Sequence, residues 1–262
     1  MSPADFPKLV AVLLATAIGI EVSLLAGVYH LDTAPYHLMH LAFMAVLVLG
    51  QFALWRHARA AGLPAAGTAL ALAIGAAFTA VGDFVNGAVS GIEPVSLKLT
   101  WALLLFGVGY TLYVATLWRC AAPALRTGAP RLYPWRYAVA LVILAGNVAA
   151  WLQHVEPGAA GHALLYYGSF VFNATLYVML PACAAWLAVA SRFSLGAIVV
   201  LIGAILIPYS DLVLFDSWLR GNPAVPSFEL YAYNWIVYFG GQALFATLPS
   251  LLMNGGLSAQ AK

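Results

Sequence analysis

The stretch AGTALALAIGAAFTAVGDFVNGAV, residues 66–89, decides the fold class, because it runs through 24 residues with a single charged side chain, Asp83. At 1.5 Å per residue such a helix exceeds the ~30 Å of a hydrocarbon core, so the segment is long enough to cross a bilayer. Similar runs recur on both sides of it. Gly, Pro and charged residues punctuate the chain into eight spans at 9–29, 37–55, 66–89, 97–118, 135–153, 162–190, 195–216 and 231–253. Pro181 falls inside the long sixth span, where it is expected to kink the helix or to mark the approach to the interface.

Composition agrees with this segmentation. Of 262 residues, 64% are hydrophobic and 8% charged, and the mean hydropathy is +0.93. A soluble domain carries about one quarter charged residues, so the chain reads as an all-α polytopic membrane protein, with residues 1–262 forming a single transmembrane domain. The net charge of +2 is small and scattered, which argues against a nucleic-acid partner. Cys120 and Cys183 lie in separate apolar segments without CxxC spacing, so they read as packing residues. Lys8 precedes an apolar run as in a signal peptide, but Glu21 interrupts the run and seven spans follow, so the first span reads as uncleaved.

Charge placement sets an expected orientation. Lys8, Arg56, Arg59, Arg119, Arg126, Arg131, Arg136, Arg192 and Lys262 fall on one side of the eight-span chain, against Lys98 and Arg220 on the other. By the positive-inside rule both termini are cytoplasmic, in a cell (inner) membrane. Trp55, Trp118, Trp135, Trp151 and Trp218 lie near span ends, where amphipathic rings favour the interface. Asp216 and Glu229 fall in the outer loop and read as solvated.

Ionisable side chains in hydrocarbon cost several kcal/mol, which makes those inside the spans functional candidates. They are Glu21, Asp83 and Asp211. Asp83 and Asp211 both come late in outward-running spans and should share a depth in the outer third of the membrane. Glu21 reads equally well as a helix-to-helix pairing group. Polar residues gather at the depth of the two aspartates. Thr79, Asp83 and Asn86 make one helical stripe, Asn147, Trp151 and His154 another, and Tyr231, Asn234, Tyr238 and Gln242 a third. His37 and His40, one turn apart on span two, supply half of a metal site by spacing, without a third histidine nearby. An outward-opening polar cavity accounts for all of these positions.

The two halves also echo each other. VGDFVNG (residues 81–87) parallels YSDLVLF (residues 209–215), and each is followed by a span ending in ATL, at Leu117 and Leu248. Glu21 and Asn147 occupy similar places in spans one and five. Four spans per half give a parallel repeat that relates Asp83 to Asp211 by an axis along the membrane normal.

At these residues the sequence resembles the YhhN family of membrane proteins, whose characterised animal members are lysoplasmalogenases. The resemblance rests on Gly82-Asp83, on Phe106 and Tyr113 in the next span, on GAILIPYSDLVLFDSW from Gly203 to Trp218, and on Tyr238 with Gln242 in the last span. The chain departs from the family's pattern at Ala34-Pro35, where a Lys-Pro is usual, and at Tyr110, where a histidine is common. The resemblance implies hydrolysis of the vinyl ether of a lysophospholipid, or of another single-chain lipid entering sideways from the bilayer, without a cofactor. It also implies Asp83 and Asp211 as the catalytic carboxylates, one serving as acid and its partner as base, as in glycosidases. Asn86, Ser210, Tyr238, Gln242, Asn234 and Tyr113 would bind substrate or the attacking water, and Lys98 or Arg220 could meet a phosphate. Two other readings fit the same residues. One is a transporter or binding protein for a lipid or small cation, with the carboxylates as ion or proton ligands. The other is a metal-dependent hydrolase using His37, His40 and Asp83.

Overall fold

A computed structural model describes residues 1–28, 30–128, 130–156, 163–220 and 228–254. Lys262 lies outside the described residues, as do the side chains of Asp216, Trp218 and Arg220. All regular structure among the described residues is helical: α1 (Phe6–Leu25), α2 (Thr33–Ala60), α3 (Ala66–Asn86), α4 (Val95–Gly128), α5 (Arg136–Ala150), α6 (Ala163–Ala174), α7 (Leu176–Ala190), α8 (Leu195–Arg220), α9 (Phe228–Phe245) and α10 (Leu248–Met253), with short 3₁₀ segments at Ala88–Ser90 and Pro130–Trp135. Among the described residues eight helical stretches are long and apolar enough to cross a membrane, one for each expected span.

The departures from the expected boundaries have local causes. α2 runs beyond its apolar window because the charged end from Arg56 to Ala60 contains no helix breaker, and α4 continues past Arg119 to Gly128 with Pro123 inside it. The sixth span divides into α6 and α7 at Thr175, whose backbone (φ −119°, ψ −74°) departs from ideal helix angles while staying in the right-handed region. Pro181 sits inside α7 rather than at this break. Proline has no N–H to offer the carbonyl four residues earlier, and that carbonyl, on Tyr177, instead accepts a hydrogen bond from Asn147 Nδ2 at 3.1 Å. Asn147 is thereby tied to the proline-relieved turn, and Asn173 Nδ2 returns a bond to the Asn147 carbonyl at 3.1 Å. α5 ends in a π turn, Trp151–Val155, which leaves Trp151 buried with its Nε1 donating to Ser169 Oγ at 3.0 Å.

Two close helix pairs organise the bundle. A Cβ added at Gly109 of α4 would stand 2.8 Å from the Gly75 carbonyl oxygen of α3, and one at Gly203 of α8 would stand 2.8 Å from the Gly241 carbonyl oxygen of α9. Without side chains at these points the backbones approach closely, as membrane helices do at small residues. The two pairs share a register. Asp83 follows Gly75 by eight residues, and Asp211 follows Gly203 by eight; Tyr113 follows Gly109 by four, and Phe245 follows Gly241 by four. The rings of Tyr113 and Phe245 then meet with centroids 4.7 Å apart. The four-plus-four repeat expected from the faint sequence echo thus has a physical counterpart in matched glycine contacts and matched carboxylates.

Packing gathers into two apolar clusters. One joins α3, α4, α7, α8 and α9 around Tyr110, Tyr113, Leu180, Ile207 and Phe245, and the other joins α1, α2 and α9 around Phe6, Met44, Leu47, Trp235 and Phe239. Phe106 packs against both. α5 contributes no buried residue, and its Leu141 and Val142 are 64% and 73% exposed, so it is the most peripheral of the spans.

Candidate functional site

The site lies where the last turn of α3, the start of α2, the start of α9 and the later part of α8 converge. α3 reaches it because Gly82 leaves room for the Phe106 ring, which would stand 3.1 Å from a Cβ at that position. Phe106 in turn stacks on Tyr110, with centroids 5.8 Å apart. Gly87 follows Asn86 and ends the helix, its N–H bonded to the Asp83 carbonyl at 2.8 Å.

Asp83 and Asp211 line one cavity, together with His37, His40, Asn86, Phe106, Tyr231, Asn234, Trp235 and Tyr238. Each carboxylate is held by phenols. Tyr238 Oη donates to Asp83 Oδ2 at 3.0 Å. Tyr110 Oη and Tyr177 Oη both donate to Asp211 Oδ2, at 2.8 and 2.7 Å. Two of these three bonds cross between the halves of the chain, from Tyr238 of α9 to the carboxylate of α3 and from Tyr110 of α4 to that of α8, while Tyr177 of α7 comes from the same half as Asp211. Asp211 is 6% exposed, so its two phenols offset much of the cost of placing a carboxyl group inside the bundle.

The cavity is sized and lined for water. Its volume is about 50 Å³, and one water needs roughly 10–15 Å³ of such space, so a few fit. Asn86 Oδ1, Asn234 Oδ1 and Trp235 Nε1 are buried without a protein hydrogen-bond partner, and all three residues line this cavity. Buried polar atoms without protein partners are ordinarily satisfied by ordered water.

Not every expected site residue reaches the cavity. Ser210 is fully buried and turns its hydroxyl back onto the Ile207 carbonyl at 2.7 Å. Tyr113 and Gln242 bond to each other, Oη to Oε1 at 2.9 Å, and neither lines the cavity. Asp83, Asp211, Asn86, Asn234 and Tyr238 do come together there. His40 is turned to Glu21, with Nε2 to Oε1 at 2.7 Å, and among the described residues no three His, Cys, Asp or Glu side chains are grouped to hold a metal ion. Cys120 and Cys183 are free thiols.

Sequence reasoning passed over Tyr177 and Trp235, and it treated Tyr110 only as a departure from a family pattern. Tyr110 carried no other signal, since in the span parallel to α9 its place seven residues before Leu117 matches Gly241 and not Gln242. Tyr177 had none, because its phenol reaches Asp211 only through the packing of α7 on α4 and α8.

No protein family, curated protein or solved structure matches this chain. The functional reading therefore rests on the cavity and on its residues.

Proposed function

We propose that this protein is an intramembrane lipid hydrolase of the lysoplasmalogenase kind, cleaving the vinyl ether of a lysophospholipid or a related single-chain lipid. The observation that carries this reading is the meeting of Asp83 and Asp211, from parallel positions in two repeats, in one water-sized cavity. The motif resemblance to YhhN proteins at Gly82-Asp83, Ser210-Asp211 and Tyr238 with Gln242 points the same way. In this reading both termini are cytoplasmic and the cavity opens toward the opposite face.

Vinyl-ether hydrolysis needs a proton delivered to the alkene carbon, a negative charge beside the resulting oxocarbenium ion, and water to trap it. One carboxyl in its acid form and one as carboxylate meet the first two needs, as in glycosidases. The pair shares one cavity and so loses its protons in coupled steps that belong to both groups. Water held by Asn86, Asn234 and Trp235 meets the third. The lipid tail stays in hydrocarbon, and only the scissile atoms need to reach the cavity.

Aldehyde release from a lysoplasmalogen in detergent tests the proposal. Asp83→Asn and Asp211→Asn are each expected to lower the rate by about 10²-fold or more, the usual range for a positioned acid or base. Undiminished release from either variant refutes the mechanism. A second reading is favoured by the orphaned Asn86 and Asn234 oxygens, which add acceptors to two carboxylates in a lining without Lys or Arg: a carrier of protons or a small cation. Substrate-dependent ion flux into liposomes, without turnover of lipid, distinguishes it.

A further inference from the structure

A second carboxylate system borders the same cavity and has no part in the mechanism above. Glu21 of α1 is fully buried. Its Oε2 accepts a hydrogen bond from Tyr36 Oη at 2.8 Å, and its Oε1 meets His40 Nε2 at 2.7 Å. The His40 ring is clamped further: it stacks on Trp235 with centroids 3.9 Å apart and planes 11° apart, and the Tyr36 ring lies edge-on to it at 4.2 Å. Glu21 does not line the cavity, but His40 does, alongside Asp83 and Asp211.

A pair that served only to join α1 to α2 would be complete with Glu21 and Tyr36. Here the imidazole is stacked on Trp235 and met by the Tyr36 ring, one of its nitrogens is taken by a carboxylate, and its ring borders the cavity. A carboxylate accepting from Nε2–H selects the tautomer whose lone pair is on Nδ1. That is how a histidine is prepared as a base, with the carboxylate orienting it and stabilising the imidazolium that forms.

We infer that His40, positioned by Glu21, is the general base of this cavity and takes the proton of the water that attacks the oxocarbenium ion. The inference rests on the hydrolase reading and completes it. A carboxyl of the Asp83/Asp211 pair delivers its proton to the alkene carbon, forming the C–H bond as the C=C π bond becomes the C=O⁺ bond. Water adds to the oxocarbenium carbon through oxygen while one of its protons passes to His40. The hemiacetal then moves its hydroxyl proton to the ether oxygen as that C–O bond breaks, giving aldehyde and a free alcohol. The imidazolium returns its proton to the carboxylate, so one water is consumed and no redox change occurs. His40 is thus a catalytic residue and Glu21 a positioning residue.

The experiment pairs turnover with a measurement that needs none. In the aldehyde assay His40→Ala is expected to lose about 10²-fold or more and to regain about tenfold with added imidazole, since a free base can replace a missing one. Glu21→Gln is expected to lower kcat about tenfold with KM unchanged. An His40→Ala protein that stays monodisperse and is either fully active or inert to imidazole overturns the inference. Nitrogen-15 spectra of histidine-labelled wild-type protein should show His40 as the Nε2–H tautomer, and Glu21→Gln should alter that signal. An unchanged His40 signal in Glu21→Gln overturns the dyad. Absence of aldehyde from the wild-type protein refutes instead the hydrolase reading on which the inference depends.

Discussion

Removing the two phenols from Asp211 should reveal how the bundle tolerates a carboxyl group. Tyr110→Phe and Tyr177→Phe each delete one hydroxyl and leave the ring, whose packing in the cluster with Phe172 is retained. Both hydroxyls donate to the same atom, Asp211 Oδ2. In either single variant that oxygen keeps one partner, so the cost should be about 1 kcal/mol, the net worth of an ordinary buried hydrogen bond. In the double variant the oxygen is left without a phenol at a residue that is 6% exposed, and the desolvation penalty of an unsatisfied polar group adds about 1–3 kcal/mol. The double variant should therefore cost about 3–5 kcal/mol, exceeding the sum of the singles by at least 1 kcal/mol. Reversible unfolding in mixed micelles by titration with sodium dodecyl sulfate, followed by far-ultraviolet circular dichroism, measures all four corners of this cycle. Tyr209→Phe is the control: Tyr209 is 46% exposed and its hydroxyl meets that of Tyr233 at 3.3 Å, so it should stay within about 0.5 kcal/mol of wild type. Additivity of the two substitutions within about 0.5 kcal/mol would refute the shared-acceptor account.

Other predictions concern the glycine contacts, the π turn and the orientation. Gly203→Ala puts a Cβ 2.6 Å from the Phe245 backbone nitrogen, which cannot rotate away, so thermal unfolding in detergent should show a loss of about 2 kcal/mol or more. Gly146→Ala meets nothing within 4 Å and should be neutral or stabilising by about 0.5–1 kcal/mol in the same assay. Ser169→Ala removes the acceptor of the buried Trp151 Nε1 and should cost about 1–3 kcal/mol, measurable by the same titration. For orientation, alkaline phosphatase fused after Gly91 should be active in cells and a fluorescent protein fused at the C-terminus should fluoresce; the opposite pattern contradicts the charge-based assignment.

Eight spans and an all-helical fold were legible because hydrocarbon demands internally satisfied backbone over a fixed length, and residues 66–89 meet that demand by composition alone. The same physics picked out Glu21, Asp83 and Asp211, since an ionisable group in a span is costly enough to stand out in any reading. Helix facing was not legible. A lipid tail is as apolar as a protein core, so Leu141, which is exposed, and Leu180, which is fully buried, look alike in sequence. For the same reason Gln242, on a plausible polar stripe, and Ser210 and Tyr113, named by the motif resemblance, turn away from the cavity, while Tyr177 carried no pattern and reaches Asp211. Sequence by itself determined that two carboxylates lie in spans, late in segments that echo each other as VGDFVNG and YSDLVLF. Only tertiary structure decided that they face one cavity, that Tyr238, Tyr110 and Tyr177 hold them, and that Glu21 belongs to His40. Those are contacts between different helices, from neighbours such as α1 and α2 at Glu21–His40 to segments 155 residues apart at Tyr238–Asp83, and the periodicity within one helix does not record which helix it will face.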